Sequence, residues 1–219
     1  MIQKQNKNSL AFTLIELLVV VGIIGLLVAI LVPTIGQARE SAKSTQCMAN
    51  LHSISQAMTA YISDYHGFFP PMSSFPTIEP PFSPRKSIAA ILFNYVSGQT
   101  KIFKCPADRF INPTSQTSEA PPANVQNWFE WQGASYQPMY GLSYEANGKW
   151  SFTRENSLSD FFQQVVDSPD ELSNIPLLFD YEQFHPIDGE SFAAGRMVLF
   201  ADFHITKGKE FVFKMDGLK

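Results

Sequence analysis

The sequence predicts an α+β fold in which a long N-terminal hydrophobic spine helix, half of it transmembrane, packs on a small antiparallel-sheet head. Three observations predict it. Residues 12–32 form an apolar run whose only charge is Glu16, residues 47–65 carry apolar side chains at helical spacing, and compact strand-like segments follow. A helix placed first and strands placed afterwards are typical of an α+β arrangement with an antiparallel sheet.

The composition bounds the class of protein. The chain has 219 residues, which fits one domain with an appendage. Charged residues make up 16%, below the roughly 25% of soluble domains, and the net charge is −4. Without a basic excess we expect no nucleic acid partner. The mean hydropathy is near zero because an apolar N-terminal run is offset by a more polar later part. That later part contains all but one of the 19 Phe and all but one of the 15 Pro.

The apolar run from Phe12 to Val32 is long enough to cross a bilayer. At about 1.5 Å per residue an α-helix of this length spans roughly 31 Å, about one hydrocarbon core. A buried core helix, a cleaved secretory signal with its cut after residues 36–38, and a plain signal anchor are the competing interpretations. Core helices seldom stay apolar on every face, and the hydrophobic region of a signal peptide is typically shorter.

Glu16 separates these interpretations. A carboxylate in a membrane helix costs about 2.5–3.5 kcal/mol at the helix centre and by default marks function. It needs a positive partner, and residues 17–32 supply none. A free α-amino group at Phe12, of the same chain or of a neighbouring parallel helix, is a candidate. Glu16 would then set the register of a helix bundle.

Beyond the run, we expect the same helix to continue. Pro33 removes one backbone donor and predicts a kink. The apolar side chains that follow are spaced by three or four residues, which predicts a helix with one buried face: Cys47, Leu51, Ile54, Met58, Tyr61 and Tyr65. The predicted organisation is a basic leader at 1–11, a transmembrane and assembly helix at 12–33, its amphipathic continuation at 34–66, and a globular head at 67–219.

The head is predicted from shorter patterns. Residues 85–96 and 158–166 have helical spacing, and residues 110–132 are rich in Pro, Ser, Thr and Asn and predict a long loop. Strands are predicted for five segments, of which 175–181 and 196–201 have the most compact apolar runs: 101–105, 139–144, 175–181, 196–201 and 211–214.

The residues from Ala11 to Val20 (AFTLIELLVV) resemble the processing signature of type IV pilins and type II secretion pseudopilins. The usual pattern is G-F-T-L-I-E, and Ala11 replaces its glycine. The resemblance implies that a membrane aspartyl peptidase cleaves between Ala11 and Phe12 and methylates the Phe12 amine. It also implies a single pass through the bacterial inner membrane, with the basic leader in the cytoplasm, as the positive-inside rule predicts, and the head in the periplasm or on a cell-surface filament.

The later sequence is similar to pilin-like proteins called "prepilin-type processing-associated". Phe103–Asp108 (FKCPAD) and Leu199–His204 (LFADFH) carry this resemblance. The family's late motif is His-x9-Asp-Gly. Here Asp202 and His204 are present, whereas Phe203 replaces the glycine and Phe192 the first histidine, so the motif is degenerate.

The resemblance places the head in an oxidising compartment, where disulfides persist. From that compartment, the positions of the two cysteines and the pattern of the family, we predict a Cys47–Cys105 disulfide. The alternative is a pair of buried free thiols.

The expected function is a structural pseudopilin or pilin-like subunit of a type II secretion or type IV pilus-like system. The partners that the resemblance implies are a prepilin peptidase and methyltransferase, other pilin-like subunits in a homo- or hetero-filament, an inner-membrane platform protein, an assembly ATPase and the lipid bilayer. The alternative is a membrane-anchored head that binds an extracellular ligand through residues 110–135 and never polymerises. A tethered hydrolase with an unrecognised site is a third hypothesis.

We expect no enzymatic activity, no catalytic or cofactor-binding residue and no metal site. The four histidines form no spaced ligand set: His52, His66, His185 and His204. The acidic residues near the last two suggest a weak calcium hypothesis, against which solvated strand-end carboxylates are the expectation: Asp180, Glu182, Asp188 and Asp202. Trp128, Phe129 and Trp131 lie in the predicted loop, where they either form a binding surface or are buried.

Overall fold

The computed structural model describes residues 13–66, 70, 87–113, 120–138, 176–185 and 195–208. The chain divides into two compact units, Met1–Ser41 and Ala42–Lys219. Three of the predicted elements, at 139–144, 158–166 and 211–214, lie outside the described residues, as do Ala11, Phe12, Asp188 and Phe192.

One long helix, α1, runs from Leu14 to Asp64, with Pro33 in its interior. This confirms the long N-terminal helix. It ends where His66 adopts a left-handed backbone with φ of 57°, after Tyr65 has donated its N–H to the carbonyl of Tyr61 at 3.0 Å. Left-handed residues are common just past a helix end, because they let the last N–H groups turn back.

The predicted apolar stripe is buried from Cys47 to Tyr61, and the exposed Tyr65 is the exception. Asn50, which lies outside that apolar stripe, is also buried: its Nδ2 donates to the carbonyl of Lys104 at 2.9 Å. The helical spacing therefore identifies the buried face, and Asn50 widens that face because a backbone carbonyl accepts its amide hydrogen.

Two of the predicted elements, one predicted as a helix and one as a strand, form short helices in the structure. The predicted helix at 85–96 forms as α2, Ile88–Ile91, followed by a 3-10 helix at Phe93–Val96. The strand predicted at 101–105 is wrong, since Thr100–Phe103 is a 3-10 helix closed by the bond from Lys104 N–H to the Lys101 carbonyl at 3.1 Å.

The long loop predicted at 110–132 ends in a helix, α3, at Trp128–Gln132. Asn127 caps it: its side-chain oxygen accepts from Glu130 N–H at 3.0 Å, and Glu130 accepts from Gln126 N–H at 2.9 Å. Gly133 follows with φ of 80°. An Asn with a Glu three residues later is a helix-start signal, and a following Gly is a stop signal. The sequence therefore carried the signals from which this helix could have been predicted.

The described strands form one antiparallel sheet in the order β1-β2-β3-β4. Their bounds are Tyr136–Pro138, Pro176–Asp180, Met197–Phe200 and Ile205–Lys207. The strands predicted at 175–181 and 196–201 are confirmed as β2 and β3, and β1 and β4 were not predicted. In β3, Met197 and Leu199 join the main core while Val198 and Phe200 join a second cluster. Both faces are buried, which is why the segment reads as an unbroken apolar run.

Aromatic rings fill the main core beside the sheet. The ring of Trp128 is fully buried and stacks on Tyr181, with centroids 4.5 Å apart, and on Trp131, with centroids 5.3 Å apart. Phe110 meets both indoles edge-on. The two tryptophans are therefore core residues, and Phe129 is the half-exposed one of the three aromatic residues considered for a binding surface.

Candidate functional site

The first turn of α1 is a closed hydrogen-bond box around Glu16. One oxygen of the Glu16 carboxylate accepts from the N–H of Thr13 at 2.9 Å and from its hydroxyl at 2.8 Å. In return, Thr13 Oγ1 accepts from the N–H of Glu16 at 3.3 Å. This is the reciprocal capping box of a Thr followed three residues later by a Glu. Glu16 is thus bound within its own chain, a role that its Thr-x-x-Glu spacing encodes and that the sequence analysis missed.

The helix segment after Glu16 is apolar and exposed. Every large apolar side chain from Leu14 to Ile35 is exposed in the structure. Within the described part of the chain, α1 alone is long and apolar enough to cross a membrane. Because an apolar surface this large is unstable in water, this segment is a candidate membrane anchor.

Pro33 lies inside the described helix without ending it. Proline has no N–H, so the carbonyl of Ala29 receives no helical bond from position 33. In the next turn Thr34 Oγ1 donates to the Leu31 carbonyl at 2.8 Å. Both features loosen the backbone here, and the kink stays a prediction.

The predicted disulfide is present. Cys47 and Cys105 are bonded, with Cα atoms 5.1 Å apart and both residues fully buried. The bond joins α1 to the segment after the second 3-10 helix. The backbone N–H of Cys105 also donates to Ser135 Oγ at 2.9 Å, which ties the same segment to the residue just before β1.

A buried imidazole lies against the disulfide. His185 Nε2 is 3.6 Å from Cys105 Sγ and 3.4 Å from Asp180 Oδ2, and its Nδ1 is 3.0 Å from the hydroxyl of Ser44 on α1. The side chains of His185 and Asp180 are fully buried. We call Cys47, Cys105, Asp180 and His185 the disulfide cluster.

Asp180 is the most deeply buried acid described. Burial raises its pKa, while the nearby His185 and the N–H of Met197, which donates to Oδ2 at 2.8 Å, oppose that rise. Arg196 donates through one nitrogen to the backbone carbonyls of Asp180 and Tyr181, at 2.7 and 2.8 Å. Burial lowers the pKa of Arg196, and the two carboxylates of Asp180 and Glu182 counteract this.

Two more carboxylates fix loops in the head. Glu182 accepts from the N–H groups of Ile111 and Asn112, at 2.7 and 2.5 Å, and from Trp128 Nε1 at 3.0 Å. Asp108 accepts from the N–H groups of Trp128 and Phe129 and from Ser135 Oγ. The expectation that Asp180 and Glu182 are solvated strand-end carboxylates is wrong, because both residues are buried.

The degenerate late motif forms the turn between β3 and β4. Phe203 N–H donates to the Phe200 carbonyl at 2.9 Å, and Phe203 adopts a φ of 64°. A left-handed residue after a tight turn is the position that favours glycine. The tight turn therefore survives the loss of the motif's Gly, with Phe203 in a conformation that costs energy.

Asp202 and His204 are partners in this turn. Asp202 Oδ1 contacts both the backbone N–H of His204, at 3.1 Å, and its Nδ1, at 2.5 Å, and the imidazole stacks on Phe200. Both side chains are partly exposed. His185 and His204 thus have different partners: the first belongs to the disulfide cluster and the second to the turn.

Two family models match the chain. One, described as "Prokaryotic N-terminal methylation motif", matches residues 6–32, and one, described as "Protein of unknown function (DUF1559)", matches residues 36–96. No curated protein and no solved structure gives a significant match.

The methylation motif, the long apolar helix and the antiparallel sheet make this chain similar to type IV pilins and pseudopilins. The motif indicates a pilin-like protein processed by a prepilin peptidase. More particularly, residues 36–96 are similar to the DUF1559 family, whose description assigns no activity. The two matches together span less than half of the chain, and the sheet lies outside both.

Proposed function

We propose that this protein is a non-enzymatic structural subunit of a type II secretion or type IV pilus-like filament. A prepilin peptidase cleaves between Ala11 and Phe12 and methylates the Phe12 amine, and the processed chain is then assembled. The observation that carries the proposal is Glu16, the single charge of residues 12–32, at the start of a helix segment whose apolar side chains are exposed.

The exposed apolar segment explains why assembly is possible. In the membrane, lipid covers the side chains of residues 14–32. Extraction into water would expose them again, so the new environment has to be equally apolar. A core of identical helices in a filament supplies it. Lipid chains and leucine side chains are equally apolar, so close packing and polar contacts decide between the two environments.

Glu16 is the polar contact that selects the filament. Its carboxylate is bound by Thr13 on one oxygen. Cleavage before Phe12 places a new positive amine next to Thr13 in the sequence. A neighbouring subunit staggered along the helix brings its own amine to Glu16, and this ion pair in apolar surroundings fixes the register of the two helices.

The proposed surroundings follow from this role. Before assembly the chain is a single-pass protein of the bacterial inner membrane, with residues 1–11 in the cytoplasm and the head in the periplasm. Its partners are the peptidase and methyltransferase, pilin-like subunits, a platform protein and an ATPase that drives extraction, and no nucleic acid takes part.

The first test is the N-terminus of the mature protein. Mass spectrometry of the protein from a host with the assembly system is expected to find N-methylated Phe12. An intact Met1 would instead identify an uncleaved anchor, and a start at Arg39 ordinary secretion. Either result would overturn the proposed processing.

The second test separates assembly from helix capping. Thr13→Ala breaks the capping box, which costs about 1 kcal/mol of helix stability, whereas Glu16→Gln can keep it because glutamine also serves at this position of the box. Only Glu16→Gln removes the charge. We therefore expect Glu16→Gln to be inserted and cleaved but absent from sheared filaments, whereas Thr13→Ala is incorporated. Normal incorporation of Glu16→Gln would contradict the proposal and favour an anchored head that does not polymerise.

A further inference from the structure

The disulfide cluster brings together more chemistry than a structural disulfide uses. One donor atom each from Cys47, Cys105 and His185 lies within 4.8 Å of the other two, and all three residues are buried. Asp180 adds a carboxylate on the same ring nitrogen, with Oδ2 at 3.4 Å from His185 Nε2. Three potential ligands from distant parts of the sequence thus lie together, and a fourth, Asp180, adjoins the imidazole.

In the disulfide state these polar groups are poorly satisfied. The distance of 3.4 Å from His185 Nε2 to Asp180 Oδ2 is longer than an ordinary N–H···O hydrogen bond, and the other neighbour of Nε2, at 3.6 Å, is the weakly polar sulfur of Cys105. Asp180 Oδ1 has no hydrogen-bond partner among the described residues, although its side chain is fully buried. Burying an unsatisfied carboxylate oxygen and an imidazole costs free energy that an apolar neighbour of the disulfide would not cost.

We propose that, in the dithiol form of the chain, Cys47, Cys105 and His185 bind one zinc-like divalent cation, with Asp180 as the fourth ligand. Disulfide formation and metal binding are then alternatives at one place in the head. Metal binding replaces the two thiol protons, which are released. Disulfide formation removes two protons and two electrons, which an external disulfide accepts as it becomes a dithiol.

The ligand set and its surroundings fit such an ion. Zinc takes four ligands in a tetrahedron, at about 2.3 Å from thiolate sulfur and about 2.0–2.2 Å from imidazole nitrogen or carboxylate oxygen. Ligand atoms around one such ion are less than about 4 Å apart. The two sulfurs, which are bonded to each other in the disulfide, therefore have to separate, and the imidazole nitrogen, within 4.8 Å of both, has to approach slightly. Asp180 Oδ1, which has no hydrogen-bond partner among the described residues, would gain a direct ligand contact.

Two neighbours provide the outer support that metal-bound histidines and carboxylates usually have. With its Nδ1 hydrogen donated to Ser44, at 3.0 Å, His185 turns the lone pair of Nε2 towards Cys105 and Asp180. Arg196 binds the backbone carbonyl of Asp180 at 2.7 Å. Its positive charge offsets the excess negative charge of two thiolates and a carboxylate around a divalent ion.

Metal binding would hold together the two segments that the disulfide joins and would add the end of β2. Cys47 is on α1, Cys105 follows the second 3-10 helix, and His185 follows β2. A newly made chain that has not been oxidised could therefore fold its head around an ion. This inference concerns the head and does not depend on filament assembly.

The test uses the full-length protein in detergent micelles, reduced with a phosphine under nitrogen and titrated with cobalt(II). Tetrahedral cobalt bound to thiolates gives intense visible d–d bands and a sulfur-to-cobalt charge-transfer band. We expect these bands to saturate at one ion per chain and to disappear when zinc is added. The unreduced protein, as the matched control, is expected to show neither.

Variants identify the ligands. Ser44→Ala is expected to weaken cobalt binding about tenfold or more, as loss of an outer partner typically does, and His185→Ala to weaken it further. His204→Ala, which removes a partly exposed imidazole elsewhere, should leave binding unchanged. His185→Cys should keep binding but strengthen the charge-transfer band, since a third thiolate replaces the imidazole.

Three results would overturn the proposal. The first is reduced protein that keeps its circular dichroism but shows no thiolate–cobalt band. The second is a His185→Ala affinity equal to that of the wild type, which would show that the two cysteines bind without the cluster. The third is a head that unfolds on reduction and does not regain its circular dichroism when zinc is added.

Discussion

Glu182 offers the sharpest test of how the head is held together. Its buried carboxylate receives the N–H groups of Ile111 and Asn112 and the indole N–H of Trp128. It therefore links the end of β2 to a loop and to α3. We expect Glu182→Gln, which keeps the shape and removes the charge, to destabilise the head by about 2–4 kcal/mol.

The magnitude follows from the geometry of the three bonds. Oε2 accepts from Ile111 and Trp128, and Oε1 accepts from Asn112. If the carbonyl of the glutamine replaces Oε2, its NH₂ group faces the N–H of Asn112, so one bond to a charged acceptor, worth about 1.5–3 kcal/mol, is lost. The other two bonds become neutral and weaken. The smaller desolvation cost of a neutral side chain offsets part of this loss.

The measurement is the free energy of unfolding in urea, followed by tryptophan fluorescence and near-ultraviolet circular dichroism. Both signals are expected to change in the folded variant because Trp128 loses a charged partner. Glu130→Gln is the matched control: Glu130 also accepts two N–H groups, but its side chain is 39% exposed, so water can replace them and the loss should be clearly smaller than that of Glu182→Gln. Equal losses for the two variants, or a Glu182→Gln loss under about 1 kcal/mol, would refute the reasoning.

Three further predictions concern the head. Replacing both Cys47 and Cys105 by alanine opens a loop with a sequence separation of 58 residues. The free energy of unfolding is therefore expected to fall by about 4 kcal/mol. An equal free energy of unfolding for wild type and variant would contradict this. Burial raises the pKa of Asp108 from 3.8 to about 6. Its contribution to stability is therefore complete below pH 3.8 and declines, by up to about 3 kcal/mol, as the pH rises to about 6; Asp108→Asn should remove this part of the slope in urea unfolding, and an unchanged slope would count against it. Phe203 has a φ of 64°, so Phe203→Gly should be about 1 kcal/mol more stable than Phe203→Ala, which also loses the ring but keeps the Cβ; thermal unfolding of the pair decides, and an equal or lower stability of the glycine variant would show that the backbone is not strained.

Local sequence signals predicted much of the fold. The apolar run and the three- and four-residue spacing predicted α1, and the compact apolar segments predicted β2 and β3. Other local signals were present but not used: Asn127 and Glu130 cap α3, and Thr13 and Glu16 cap α1. The strand predicted at 101–105 failed for another reason. Its apolar residues lie in a 3-10 helix, in which Phe103 is fully buried. A short apolar run is buried in a strand and in a helical turn alike, so the pattern does not distinguish between them.

The sequence by itself determined the N-terminal helix of the molecule. A processing motif, an apolar run and a helical period are all local, since each depends on residues a few positions apart. Only the tertiary structure decided what happens around the disulfide. Cys105 and His185 are separated by 80 residues and Ser44 and His185 by 141. No local pattern states that such residues meet or that Asp180 is buried, because long-range packing of the helix against the sheet determines both.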